Sequence, residues 1–235
     1  MTLADLVGRA RCLLIDFDGP VCAVFAGHPA ATVAAHLHGI IRAELAEAVP
    51  PQLGAQNTDP LQILRQVADL GDDALTRTLA DACRDAEVTA VATATPASGA
   101  DDVIRAAHES GRRVVIVSNN AAAAIEAYLR SHDLTRHVHA IAARHDGMDP
   151  RLLKPHPYLV TQGITAAHAQ PANTAFIGDS VSDIEAGQAA GIATIGYANK
   201  PGKHQRLRDA GADTVIDTMH EVVTAVHNVA TSPAT

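Results

Sequence analysis

The chain contains no tryptophan, and only three phenylalanines and three tyrosines among its 235 residues. Its core must therefore be built from Ala, Val, Leu and Ile. Lysine is equally scarce: three lysines stand against fifteen arginines, and Lys154 is the first of them. Where nearly every cation is an arginine, a lysine points to a need for a compact ammonium. Cys12, Cys22 and Cys83 form no spaced pair, which excludes a disulfide framework and a CxxC motif and fits a reduced chain. The thirteen histidines show no zinc spacing. His36 and His38 are two apart and do not share a helix face, and His132, His137, His139 and His145 are scattered. No apolar run reaches the ~18 residues that cross a bilayer. Met1 to Ala10 lacks a long apolar stretch after a basic start, so no signal peptide is expected and the expected location is the cytoplasm. A net charge of −8 argues against nucleic acid or an anionic membrane as partner.

What is present reads as an ordinary globular protein, with 47% hydrophobic and 19% charged residues. The length suits one large α/β domain or a core with an insertion. Short β-rich runs at Cys12 to Phe17, Arg113 to Ser118, Val138 to Ala142, Thr174 to Gly178, Ala193 to Tyr197 and Thr214 to Ile216 alternate with helical patterns. Asp101 and Asp102 start one helix and Gly111 stops it; Ala122, Ile125 and Leu129 stripe another; Asp183 to Ala190 makes a third, ended by Gly191. This alternation predicts an α/β fold, a Rossmann-like parallel sheet with helices on both faces.

The first two runs are separated by roughly 95 residues, far more than a crossover needs. The gap reads as helical throughout. Val33, Leu37, Ile40, Ile41 and Leu45 share a face, Asp59-Pro60 opens a helix over Leu61 to Leu70, and Leu75, Leu79, Ala82 and Cys83 stripe the next. The expected organisation is a catalytic core of residues 1–24 and 96–228, a helical cap over 25–95 and a flexible tail over 229–235, with Thr95 to Gly99 as the return hinge.

Chemistry concentrates at the ends of the runs. Asp16-Phe17-Asp18-Gly19 follows the apolar Cys12 to Ile15. Two acids at the tip of a buried strand need a metal or hydrogen bonds. The second run ends in Ser118-Asn119-Asn120, the fourth in Gly178-Asp179-Ser180 with Asp183 close behind, and Lys154-Pro155-His156-Pro157 opens a helix before it. In a parallel sheet, ligands bind at the carboxyl ends of the strands, so these segments can converge. Together they suit phosphoryl transfer. Asp16 and Asp179 can offer carboxylates to Mg²⁺. The Ser118 hydroxyl and the amide of Asn119, at a helix N-terminus, can hold phosphate oxygens. Lys154 can balance charge, one carboxylate can attack phosphorus, and a second acid can move protons.

Here the chain resembles the haloacid dehalogenase superfamily in its phosphatase branch. The matching residues are Asp16-Phe17-Asp18-Gly19, Ser118, Lys154 and Gly178-Asp179-Ser180-Val181-Ser182-Asp183, in that order, with similarity running on through Ala186 to Gly191. The resemblance implies a helical cap between the first two motifs. It makes Asp16 the nucleophile and a Mg²⁺ ligand, and Asp18 the general acid/base that gives its backbone carbonyl to the metal. It makes Ser118 a phosphoryl ligand, Lys154 the residue that orients Asp16, Asp179 a metal ligand and Asp183 a support behind them. Asp18 speaks against the dehalogenase branch, whose motif lacks that acid. The run Pro20 to Val24 lacks the polar pair the family commonly carries there.

The activity implied is a Mg²⁺-dependent phosphatase acting through an aspartyl-phosphate on a small phosphorylated metabolite, as a monomer or homodimer. Phosphoglycolate-like and sugar-phosphate substrates both fit. His28, Arg42 and Arg65 are the candidate cap contacts. A phosphosugar mutase of the β-phosphoglucomutase type and a non-catalytic phosphoryl-ligand binding relative remain as alternatives.

Overall fold

The structure, a computed structural model, describes residues 1–46, 49–53 and 56–231. Six parallel strands form the main sheet: β1 (Cys12–Ile15), β4 (Arg113–Ala121), β5 (Ala140–Arg144), β6 (Thr174–Gly178), β7 (Ala193–Tyr197) and β8 (Thr214–Ile216). They lie in the order β5-β4-β1-β6-β7-β8. The chain steps outward from β1 in both directions, so the strand order reverses at β1 and a crevice opens at its carboxyl end. Register sets the height of the site. Ile15 pairs with Ile116 of β4 and with Ile177 of β6. Asp16, Ser118 and Asp179 therefore all emerge within two residues of one rung.

All four residues of β1 are buried, as expected of a strand covered on both faces. Alternation divides them. Leu13 and Ile15 join Val114, Ile116, Ala175 and Ile177 in the cluster beneath α1 (Leu3–Arg9), α5 (Ala100–Glu109), α6 (Ala122–Ser131) and α10 (Met219–Thr231). Cys12 and Leu14 join Val115, Val117 and Phe176 in the cluster beneath α7 (Tyr158–Ala166) and α8 (Val181–Ala189). With no tryptophan available, Phe17 packs edge-on to Tyr128 in the core, centroids 5.3 Å apart.

The segment after β1 is helical, as its pattern predicts: α2 (Ala30–Leu45), α3 (Pro60–Ala68) and α4 (Asp73–Val91). Asp59 caps α3 by accepting from the backbone N–H of Leu61 at 2.9 Å, and Pro60 takes the first turn, where no donor is needed. These helices bury an apolar core of their own, centred on Leu37, Ile41, Ile63, Leu64, Val67 and Leu79. Helix α4 belongs to both cores. Its Leu75, Leu79 and Cys83 lie in the helical cluster, whereas Ala90 and Val91 lie in the sheet cluster.

Three details differ from the sequence reading. Thr95–Pro96, within the stretch Thr95 to Gly99, forms a strand (β3) not expected from the sequence, which pairs antiparallel with β2 (Cys22–Ala23). Two residues per strand are too few to leave a periodic signature. Helix α10 runs on to Thr231, so the expected tail does not begin at 229; residues 232–235 lie outside the described residues. The amphipathic α1, not expected from the sequence, packs against α10.

All three cysteines are buried. Burial pushes the Cys12 thiol up to about 11 and raises Cys22 and Cys83 as well. Because the thiolate is the reactive form, the native protein is expected to resist Ellman's reagent at pH 8 and to release three thiol equivalents only after denaturation. Rapid reaction of a thiol in the folded protein would contradict this packing.

Candidate active site

Phe17 points into the core, so its neighbours Asp16 and Asp18 turn the other way, toward the crevice. The chain then doubles back. Val21 and Cys22 donate their N–H groups to the Phe17 carbonyl, and Gly19 donates to Cys22 at 2.7 Å. Gly19 has φ of 119°, and a Cβ there would lie 2.4 Å from the Asp179 carboxylate. Only glycine meets both conditions. Gly178 is required for a similar reason: its Cβ would strike Asp183 at 2.3 Å.

Lys154 is the hub. Its side chain is almost fully buried, and Nζ donates to Asp16 Oδ1 at 2.7 Å and to Asp183 Oδ1 at 2.6 Å. A third bond of 3.3 Å goes to the Val117 carbonyl. Burial alone would push the ammonium toward neutrality, but the two carboxylates overcome it and hold Lys154 above its ordinary value. Burial, together with the Asp183 charge, pushes Asp16 up, and Lys154 pulls the other way. The lysine backbone is clasped as well. Asn119 Oδ1 accepts from Lys154 N at 2.8 Å, and Asn119 Nδ2 donates to its carbonyl at 3.2 Å. Arg65 of α3 donates to the same carbonyl.

The other acids have distinct surroundings. Asp18 accepts from Val24 N at 3.0 Å, and burial pushes its carboxyl up to about 6 despite that bond. Asp183 closes a capping box on α8, its Oδ2 accepting from Ser180 N at 3.0 Å and Ser180 Oγ at 2.6 Å. Asp179 accepts from Asn199 Nδ2 at 2.9 Å and from Lys203. Carboxylate oxygens of Asp16, Asp179 and Asp183 lie within 4.8 Å of one another. An all-oxygen set of this kind suits a hard divalent cation. Both oxygens of Asp183 are already engaged by Lys154 and Ser180, which leaves Asp16 and Asp179 as the pair facing the cleft. Ser118 is buried at the cleft floor, and its Oγ donates to Asn120 Oδ1 at 3.1 Å.

The cleft has a volume of about 650 Å³ and lies between the sheet's carboxyl edge and the helical segment, which contributes Phe25, Thr58, Asp59, Pro60, Leu61 and Arg65. Residues 10–191 match the haloacid dehalogenase-like hydrolases. The chain belongs to that family. A phosphoglycolate phosphatase from Salmonella typhimurium is 25% identical over 125 residues, covering 53% of this chain and 48% of that protein. The chain thus spans about half the length of the curated relatives it matches. Among solved structures, CbbY from Rhodobacter sphaeroides in complex with phosphate superposes with TM-score 0.63 at 17% identity over 93% of this chain and 99% of that one. A phosphonoacetaldehyde hydrolase like protein from Oleispira antarctica gives 0.65 at 16% identity, over 95% and 94%.

In this hydrolase, Asp16, Asp18, Arg65, Ser118, Asn119, Lys154 and Asp179 line one cleft, with Asp183 behind Lys154. His28 and Arg42 do not line it. His28 lies in a separate hollow with Thr32, His36, Asp85 and Thr89. Arg42 is exposed on α2, whose buried face of Val33, Ala34, Leu37 and Ile41 is turned to the helical core. Asn119 does not open a helix: β4 runs on to Ala121, and α6 begins at Ala122. The sequence reading missed Glu87, Arg144, Asn199 and Lys203. Lysine scarcity was a usable signal for the last, since Lys200 lines the cleft and Lys203 contacts Asp179.

Lys154→Met is expected to leave the buried Asp16 and Asp183 charges facing each other without compensation. In EDTA at pH 8 the variant should lose about 3–5 kcal/mol of stability. A carboxyl raised in the folded state favours folding below its unfolded value and loses that contribution as pH rises through the folded value. The deficit should therefore shrink as the pH is lowered toward 5. Urea unfolding at both pH values checks this; a pH-independent deficit would contradict it.

Proposed function

We propose that this hydrolase is a Mg²⁺-dependent phosphatase that cleaves small phosphate monoesters through a phosphoryl group carried on Asp16. The observation that carries the reading is the contrast between two neighbouring acids. Asp16 is ion-paired to Lys154 at 2.7 Å, while Asp18 has no such partner among the described residues and is pushed up to about 6. Two carboxyls with divergent environments suit the division into nucleophile and proton carrier.

In this mechanism Asp16, Asp179 and the main-chain carbonyl of Asp18 would hold Mg²⁺. Held there, the ion would supply positive charge to offset that of the phosphoryl group. Ser118 and the backbone around it receive the remaining phosphoryl oxygens. Asp16 attacks phosphorus while the bond to the leaving oxygen breaks, and protonated Asp18 gives that oxygen its proton. Asp18, now a carboxylate, takes a proton from water as the water attacks phosphorus. The Asp16–phosphorus bond breaks and inorganic phosphate leaves. Lys154 holds Asp16 in place throughout and keeps its charge matched.

The cap side of the cleft supports a substrate class. Arg65 is the cation there, set among Thr58, Asp59, Pro60 and Leu61. A guanidinium favours a carboxylate or second phosphate on the leaving group. With the Salmonella relative named for phosphoglycolate, a carboxylated phosphate monoester is the first class to assay. A mutase would return the phosphoryl group to the sugar and release no phosphate. A binding relative would need a lost catalytic group, and Asp16, Asp18, Ser118, Lys154 and Asp179 are all in place. We place the protein in the cytoplasm on the same reading; no helix among the described residues is long and apolar enough to cross a membrane.

Phosphate release from p-nitrophenyl phosphate and from phosphoglycolate, with and without Mg²⁺, tests the proposal. Asp16→Asn should lower turnover by more than ~10³-fold on both esters. Asp18→Asn should keep Mg²⁺ affinity but lose roughly 10²–10⁴-fold on phosphoglycolate, whose alkoxide needs the proton. A folded Asp16→Asn variant that keeps a tenth of the activity would sink the covalent route.

A further inference from the structure

Glu87 is a carboxylate with no exposed surface, on the third helix of the cap segment. Cys83 Sγ on the same helix donates to its Oε1 at 3.6 Å, and its other partners lie on the sheet domain. Oε2 accepts from Arg144 at 2.5 Å and from the backbone N–H of Ala121 at 2.7 Å, and Oε1 accepts from Asn120 Nδ2 at 3.2 Å. Arg144, the last residue of β5, is 3% exposed. It also donates to the Asn119 carbonyl at 3.1 Å and, on the cap side, to the Ala80 carbonyl at 3.2 Å. The pair therefore grips the backbone of Asn119 and Ala121 at the end of β4, where the pairing with β5 shifts register after Ser118 and the strand makes a short loop.

The grip has a chemical direction. Because Asn120 gives its NH₂ to Glu87, its carbonyl oxygen must face Ser118, and it accepts the Ser118 hydroxyl at 3.1 Å. The same hydroxyl oxygen accepts Asn120 N at 3.1 Å. Glu87 thus sets the orientation of the Ser118 proton through one intervening amide. Stability is a poor reason to keep such a pair, since well-packed apolar residues commonly replace a buried ion pair without loss.

We propose that Glu87, held by Arg144, is a positioning residue that couples the docked cap to the phosphoryl-binding loop. With α4 seated, the Ser118 hydroxyl and the loop backbone are preset to receive phosphoryl oxygens. Without Glu87, Asn120 is free to turn over and the loop loses that setting. The inference rests on the assignment of Ser118 to the phosphoryl group made above.

The test is calorimetric titration of the Mg²⁺-loaded protein with orthovanadate, alongside kcat and KM for p-nitrophenyl phosphate. Glu87→Gln keeps the size of the side chain but removes the charge, and is expected to weaken vanadate binding about tenfold or more, as for a disrupted buried polar network, with Mg²⁺ affinity unchanged. The double variant Glu87→Met with Arg144→Met should recover thermal stability but not vanadate affinity. If vanadate affinity and kcat return with stability in the double variant, the pair is structural only and the proposal is overturned. Wild-type vanadate affinity in a folded Glu87→Gln overturns it equally, and if that variant fails to fold the double variant carries the test. Ser118→Ala separates the two readings. If it leaves vanadate binding intact, the phosphoryl-loop assignment itself fails; if it weakens binding while Glu87→Gln does not, only the role of Glu87 fails.

Discussion

The ammonium of Lys154, wedged between Asp16 and Asp183, is the interaction on which the site's geometry depends. Three carboxylates gather at one end of a buried sheet, and their mutual repulsion in a low-dielectric setting would drive protons onto them or push the strands apart. A single compact cation at 2.6 to 2.7 Å from two of them reduces that cost and fixes Asp16 in one rotamer. A planar guanidinium would not fit between the two oxygens in the same way, which gives a physical reason for lysine in a chain that otherwise prefers arginine. The lysine is in turn held by its surroundings. Asn119 clasps its backbone, Asp183 is tied to the start of α8, and Phe176 lies beneath the ammonium at 5.4 Å.

Sheet topology supplies the rest. Parallel pairing of β1 with both β4 and β6 at a common register sends the first acid, the Ser118 loop and Asp179 out of the same edge. Helix α4 then crosses from one apolar core into the other and carries Glu87 against the backbone after Ser118. Recognition of a leaving group by the cap and recognition of a phosphoryl group by the sheet would share one rigid element. In the proposed arrangement, the position of α4 would be felt at the phosphoryl site through hydrogen bonds and not only through exclusion of water.

The sequence made much of this legible, for identifiable reasons. Asp16, Asp18 and Asp179 stand out because charged groups at the ends of apolar strands are costly, Lys154 because lysine is scarce in this chain, and Asp183 because it follows Asp179 closely at the start of a helix. Strand alternation in β1 and the Asp59-Pro60 start of α3 follow from local rules and appear where those rules put them. His28, just before α2, and Arg42, on it, are candidates only by position along the chain, and nothing in the sequence tells which residues of this stretch turn to the cleft. Glu87 and Arg144 are 57 residues apart, so their pairing could not be read locally. A signal for Glu87 existed nonetheless. It continues the spacing of Leu75, Leu79 and Cys83, placing an acid on the buried stripe of an amphipathic helix. The two-residue ribbon of β2 and β3 is fixed by tertiary contact and leaves no pattern to find.

Covalent phosphorylation of Asp16 is tested most directly by rapid-quench analysis of Asp18→Asn with p-nitrophenyl phosphate. The nitrophenolate leaves without a proton, so the first step should proceed, while the missing base slows attack by water. A burst of one nitrophenolate per protein is expected, with one phosphoryl group recovered on the peptide that contains Asp16. Steady turnover with no burst and no protein-bound phosphoryl group would contradict it.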